Sequence, residues 1–285
     1  MPDDKVDSLS DFMRIISGLR EAWAIPDHKE LWFRGEKRNH DTPLRPKVYR
    51  PGKGRPLRPI PELLKIENEL YEDFQRCATQ LCNENIPGGD WDWDSYFLMQ
   101  HHGAPTRLLD WSDGALMALH FALRDEANDH PQDALVYVLE PYRLKDRIEA
   151  LPEIDPVKSR WKAYVQKHPS HDLSEDEWEC SYLPGDEEDI AELPMPRVPL
   201  VMEFPQITRR VAAQRSRFIV FGTAPEWLAE ELGRPDSSLR MVTVDADSIS
   251  KIRMELRDSG VTESVIFPDL DGLGREIKQR WEDRM

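Results

Sequence analysis

Residues 100–139 read QHHGAPTRLLDWSDGALMALHFALRDEANDHPQDALVYVL, and two elements of opposite periodicity stand side by side in them. Ala115–Arg124 is a compact apolar stretch and reads as a short buried helix. Asp113 is its expected cap, because an Asp carboxylate accepts from the free N–H groups of a first turn. Ala134–Leu139 is β-branched and aromatic and reads as a buried strand. Working outward, Ser8 precedes an amphipathic helix, Leu9–Ala24, with Phe12, Ile15, Ile16, Leu19 and Trp23 at helical spacing. Leu31–Arg34 reads as a short strand. Pro61 and Glu62 open a helix running to about Cys82, with Leu63, Leu64, Ile66, Leu70 and Phe74 inward. Pro87-Gly88-Gly89 breaks the chain, and Asp94–His102 is helical again.

Beyond the quoted stretch, Ile154–Gln166 reads as a helix. The strand candidates are Pro199–Phe204, Phe218–Gly222, Met241–Val244 and Ser264–Ile266. The helices Glu226–Leu232 and Ser248–Asp258 lie between them, and Leu273–Glu282 closes the chain. Short strands mixed with many helices predict a single α+β domain, a small mixed sheet surrounded by helices. Leu31–Arg34 and Pro199–Phe204 are expected in the same sheet. Residues 1–30 read as an N-terminal helix packed on the domain, 31–273 as the domain with an acidic insertion near 171–192, and 274–285 as a C-terminal helix.

Composition narrows the function classes. The chain has 285 residues and a formal charge of −16, with nine Trp, nine Phe and seven Tyr to fill a core. No apolar run approaches the length of a membrane span, and the polar start is unlike a secretion signal. The three cysteines, Cys77, Cys82 and Cys180, form no CxxC pair. Together these features predict a cytoplasmic protein with no structural metal and no membrane partner. Charge is unevenly distributed. Arg34, Lys37, Arg38, Arg45, Lys47, Arg50, Lys53, Arg55 and Arg58 form a basic run expected to bind phosphate or another anion. His171–Glu192 holds no Lys or Arg and reads as a mobile acidic surface segment. Six prolines between Pro43 and Pro61 forbid regular structure and predict an ordered loop or a flap.

Four stretches in order carry a family pattern. They are Trp32-Phe33-Arg34-Gly35; the block from Gln100 to Ser112 with Ala118–Ala122; Arg210–Gln214 with Phe218; and Leu256–Thr262 running into Ile266–Leu273. Together they resemble the FRG domain, found mostly in bacteria and their mobile elements, over roughly Leu31 to Leu273. The third stretch has Ser216 where the family usually has glycine. The short Phe-Arg-Gly pattern also looks like the first motif of ADP-ribosyltransferases, where such an arginine holds the nicotinamide dinucleotide. The resemblance implies an ADP-ribosyltransferase-like, NAD-dependent effector, a bacterial toxin or anti-phage defence protein. Its acceptor would be a protein or nucleic acid, and its partner an antitoxin or defence-system component. The alternatives are a non-catalytic nucleotide or nucleic-acid sensing module and a nuclease.

The candidate site follows from side-chain chemistry. Arg34 suits bidentate phosphate binding, and Gly35 is expected to let a ligand approach the backbone. Either His101 or His102 faces the cleft, since adjacent residues of a regular element diverge. Thr106 offers a hydroxyl, Arg107 a cation, Asp110 a carboxylate and Trp111 a stacking surface. These, with Arg34, Gly35 and His101, are the expected cofactor-binding residues for NAD. Glu203, Gln214 and His102 are the expected catalytic residues, since ribosyl transfer needs a group that steadies the oxocarbenium-like transition state and activates the acceptor.

Overall fold

The computed structural model describes residues 4–37, 42–52, 54–81, 93–124, 132–171, 173–202 and 214–282. Its centre is one seven-stranded mixed sheet in the order β1-β7-β4-β2-β3-β6-β5. The strands are β1 (Asp4–Val6), β2 (Trp32–Glu36), β3 (Leu108–Ser112), β4 (Ala134–Leu139), β5 (Leu200–Met202), β6 (Ser216–Val220) and β7 (Leu239–Val244). Only β1 and β7 pair in parallel; the other neighbours are antiparallel. β2 and β5 share this sheet, as the sequence predicts.

β4 is buried at all six positions, which is why it reads as a continuous apolar run. Its residues alternate between two cores. Leu135, Tyr137 and Leu139 join Trp32, Trp161, Tyr182 and Phe221 on one side. Ala134, Val136 and Val138 join Phe12, Phe33, Leu119 and Ile252 on the other. The first core is built against α2 (Ile60–Leu81), α3 (Trp93–His101), α5 (Pro141–Glu149) and α6 (Ile154–Lys167). The second is covered by α1 (Leu9–Ala22), α4 (Ala115–Leu123) and α9 (Ile249–Asp258). The remaining helices are α7 (Glu187–Glu192), α8 (Trp227–Leu232), α10 (Glu263–Ile266) and α11 (Leu270–Glu282).

Several expectations change in three dimensions. β1 is an edge strand that periodicity over three residues cannot reveal, so the first thirty residues add to the sheet as well as packing on it. Leu108–Ser112 is a strand, paired residue for residue with β6. Residues 264–266 are helical, not extended. Asp113 does not cap α4; Gly114 is the N-cap, and the Asp113 carboxylate meets Arg215 and Arg217. On α2, Leu70 is exposed, whereas Glu67 is buried between Leu63 and Tyr71. The acidic stretch is no mobile surface segment throughout. Trp178 and Tyr182 lie in a short 3₁₀ turn and are buried in the first core. The proline-rich loop is likewise anchored, through fully buried Leu44 and Tyr49. The break at residues 87–89 lies outside the described residues.

Candidate functional site

β2 and β3 share a single register pair, Phe33 with Ser112, although each makes five pairs with its other neighbour. The sheet is thus two half-sheets joined at one point. A cleft of about 410 Å³ lies along this junction. Arg34–Lys37 line it from one half-sheet and Leu108–Ser112 from the other. Gln100, His101 and Gly103 of the α3 end, Lys47 and Arg50 of the proline-rich loop, Phe121 and Arg124 near the end of α4, and Gln214 also line it.

Arg34 stands in the middle of β2, not at its end. Residues two apart share a face of a strand, so Arg34 meets Glu36, with Nε 3.0 Å from Oε1. Its Nη1 donates to the Asp110 carbonyl at 2.7 Å and so bridges the two half-sheets. Asp110 is presented by β3 and accepts from Gln100 Nε2 at 2.8 Å. Thr106 determines which way that amide faces. Its hydroxyl accepts from Leu108 N and donates to Gln100 Oε1 at 2.5 Å, which turns the Gln100 amide nitrogen toward Asp110. Solvent reaches Asp110 from the mouth of the cleft, yet the concave wall crowds it on the other sides. That desolvation raises the Asp110 pKa above the usual carboxylate range, against the pull of Arg34 and the Gln100 hydrogen bond.

The basic run contributes more than Arg34. Lys47 Nζ donates to the Gly103 carbonyl at 2.7 Å, tying the proline-rich loop to the turn after α3. That turn closes α3 with paired bonds, Ala104 N to Met99 O and Gly103 N to Gln100 O. Gly103 takes φ +86°, the left-handed region glycine enters without strain. Arg50 also lines the cleft, and burial with repulsion from Arg34 lowers its pKa. Four cationic side chains (Arg34, Lys37, Lys47 and Arg50) therefore share the lining with two carboxylates, Glu36 and Asp110, in a protein whose net charge is −16, while Arg124 at the edge pairs with Glu263. Among the described residues, three buried polar atoms in the lining have no hydrogen-bond partner: Glu36 Oε2, Trp111 Nε1 and Gln214 Nε2.

The structure brings Arg34, Gly35, His101, Asp110, Trp111 and Gln214 to one cleft, and it places His102, Thr106 and Arg107 elsewhere. His102 is exposed and is not part of the lining. Thr106 is fully buried and acts on the cleft through Gln100. Trp111 is buried, so its ring belongs to the wall and offers no open stacking face. Gly35 has a packing role: a Cβ there would sit 1.9 Å from the Ala118 carbonyl oxygen and 2.6 Å from the Ala122 nitrogen, so its bareness seats α4 on β2. Glu203 and Arg210 lie outside the described residues.

Arg107 departs furthest from expectation. Its side chain is wholly buried and pairs with the equally buried Glu67 at 2.5 Å. It also donates to the carbonyls of Phe221 at 2.8 Å and Tyr182 at 2.5 Å. Its backbone N–H reaches Glu67 Oε1 and the Tyr96 hydroxyl, and that hydroxyl also bonds Glu67. One arginine thereby clamps α2, α3, the acidic stretch and the end of β6 behind the cleft floor. Glu67 was discoverable: it falls four residues from both Leu63 and Tyr71, on the inward face of a helix. Glu36 was discoverable too, from its same-face spacing to Arg34.

Residues 29–131 match the family model described as FRG domain. The chain carries an FRG domain. The matched stretch holds β2, the proline-rich loop, α3, β3 and α4, so nearly every side chain lining the cleft belongs to the FRG domain itself. No curated protein and no solved structure matches the chain. No helix among the described residues is long and apolar enough to cross a membrane, and none of their His, Cys, Asp and Glu side chains form a group of three suited to a metal ion.

Proposed function

We propose that the cleft binds a phosphate-bearing nucleotide and that the domain is an ADP-ribosyltransferase-like enzyme using NAD as substrate. The supporting observation is the gathering, at one junction of the sheet, of a cationic cluster and unsatisfied donors and acceptors. Buried polar groups are seldom left unpaired without a functional reason. Arg50, Lys47 and Arg34 supply charge for phosphate oxygens. Glu36 Oε2 and the Gln214 amide, at the cleft wall, are the acceptor and the donor that remain for a ribose hydroxyl and a carbonyl or phosphate oxygen. The cleft volume falls within the usual range for small-molecule sites.

In the transfer reaction the bond from ribose C1′ to the nicotinamide nitrogen breaks, and its electron pair leaves with neutral nicotinamide. An acceptor oxygen or nitrogen bonds C1′ and gives up its proton. Asp110, held by Gln100, is the group assigned to steady the positive charge developing at C1′ and to take that proton. Its desolvated setting makes the ionised carboxylate a stronger base than an ordinary one, which suits the group that takes the proton. An effector of this kind acts on a protein or nucleic-acid acceptor and is held in check by an antitoxin or defence partner.

A second reading is a nucleotide sensor without turnover. It is favoured by the Arg34–Glu36 pair, which leaves Asp110 as the one lining carboxylate outside an ion pair among the described residues. Calorimetric titration with NAD and ADP-ribose, together with a nicotinamide-release assay, separates the two. A transferase binds and releases nicotinamide, and Asp110→Asn abolishes release while binding persists. A sensor binds and releases none. In either case Arg50→Ala should weaken binding by roughly 2 kcal/mol or more, and added salt should weaken it further. Absence of saturable binding, or equal affinity in Arg50→Ala, sinks both readings.

A further inference from the structure

α11 presents its faces the wrong way round for a monomer. Its buried residues are Gly272 and Glu276, and Arg275 turns inward to pair with Glu263. Its apolar residues point outward: Leu270 is 84% exposed, Leu273 44%, Ile277 58% and Trp281 63%, with Val265 of the neighbouring α10 at 48%. At 3.6 residues per turn these four positions form one stripe along the helix. We infer that this stripe is the contact of a two-fold dimer, in which α11 packs antiparallel against α11 of a second copy of this chain.

Area supports that occupant. The five exposed side chains leave roughly 500–600 Å² of surface open, and a stable dimer buries about 800 Å² per partner, about 65% of it apolar in homodimers. The patch therefore matches the apolar share of one self-association surface. Charge supports the same arrangement. Asp271 and Lys278 are seven residues apart and so lie on the same flank of the stripe. In an antiparallel pair like flanks meet, which puts Asp271 of each copy opposite Lys278 of the other. Gly274 falls within the stripe, where an added Cβ would meet nothing within 4 Å. Glycine in a helix costs about 1 kcal/mol against alanine, a cost with a purpose where a second helix must come close.

The test is sedimentation velocity of the full chain across a concentration series. A concentration-dependent dimer is expected. Ile277→Glu should weaken association by roughly 30-fold or more, the loss typical of an interface hot spot. Gly274→Glu should do the same; its side chain points into open space and leaves the monomer fold untouched, as circular dichroism would verify. Asp271→Lys should weaken the dimer, and Asp271→Lys with Lys278→Asp should restore it. A chain that stays monomeric up to about 100 μM overturns the inference, as does a dimer indifferent to Gly274→Glu. A dimer that the charge exchange fails to restore overturns the antiparallel arrangement.

Discussion

Replacing Arg107 by methionine tests whether this residue serves the fold and not a ligand. Methionine keeps most of the side-chain length but removes the charge and every donor. Glu67 then remains buried with the Tyr96 hydroxyl and one backbone N–H as its partners, and the carbonyls of Phe221 and Tyr182 each lose a donor. Breaking one side of a buried ion pair costs about 3–5 kcal/mol, and each stranded carbonyl adds to this by about 1 kcal/mol or more. A loss near 5 kcal/mol is comparable to the whole stability of a marginal domain, about 5–15 kcal/mol. Urea unfolding followed by circular dichroism measures it directly. Adding Glu67→Leu to Arg107→Met should recover much of the loss, since the apolar pair strands no charge. A single substitution costing under about 1 kcal/mol, or a double variant as damaged as the single, would refute this account of Arg107.

Two further outcomes follow from the cleft. Gly35→Ala forces a methyl into the backbone of α4 and should destabilise the domain by about 3 kcal/mol or more, visible as a large drop in melting temperature; an unchanged melt would mean that α4 does not rest on β2 as described. Asp110 is protonated more readily in the folded chain than in the unfolded one, so stability should fall as pH rises through the carboxylate range. Asp110→Asn should remove that part of the pH dependence and melt higher than the parent at neutral pH, and a variant that melts lower would show that the ionised carboxylate is stabilising.

The buried strand Ala134–Leu139 and the helix that follows Ser8 were legible in the residues, because each rests on local periodicity or capping chemistry. So were the identity of the FRG domain and the basic run that supplies Arg34, Lys37, Lys47 and Arg50 to the cleft. The roles of Thr106, Arg107 and Gly35 were not legible. A motif names side chains without saying which are turned inward, and a strand sends neighbouring residues to opposite faces. Leu108–Ser112 becomes a strand only by pairing with β6, a partner more than a hundred residues away. That pairing presents Asp110 to the cleft, while the chain entering the strand carries Arg107 into the interior, where Glu67 of a distant helix meets it. The single pair joining β2 to β3 is likewise a property of the assembled sheet, and it opens the cleft. Local chemistry selected the residues; long-range pairing decided which of them face a ligand and which hold the domain together.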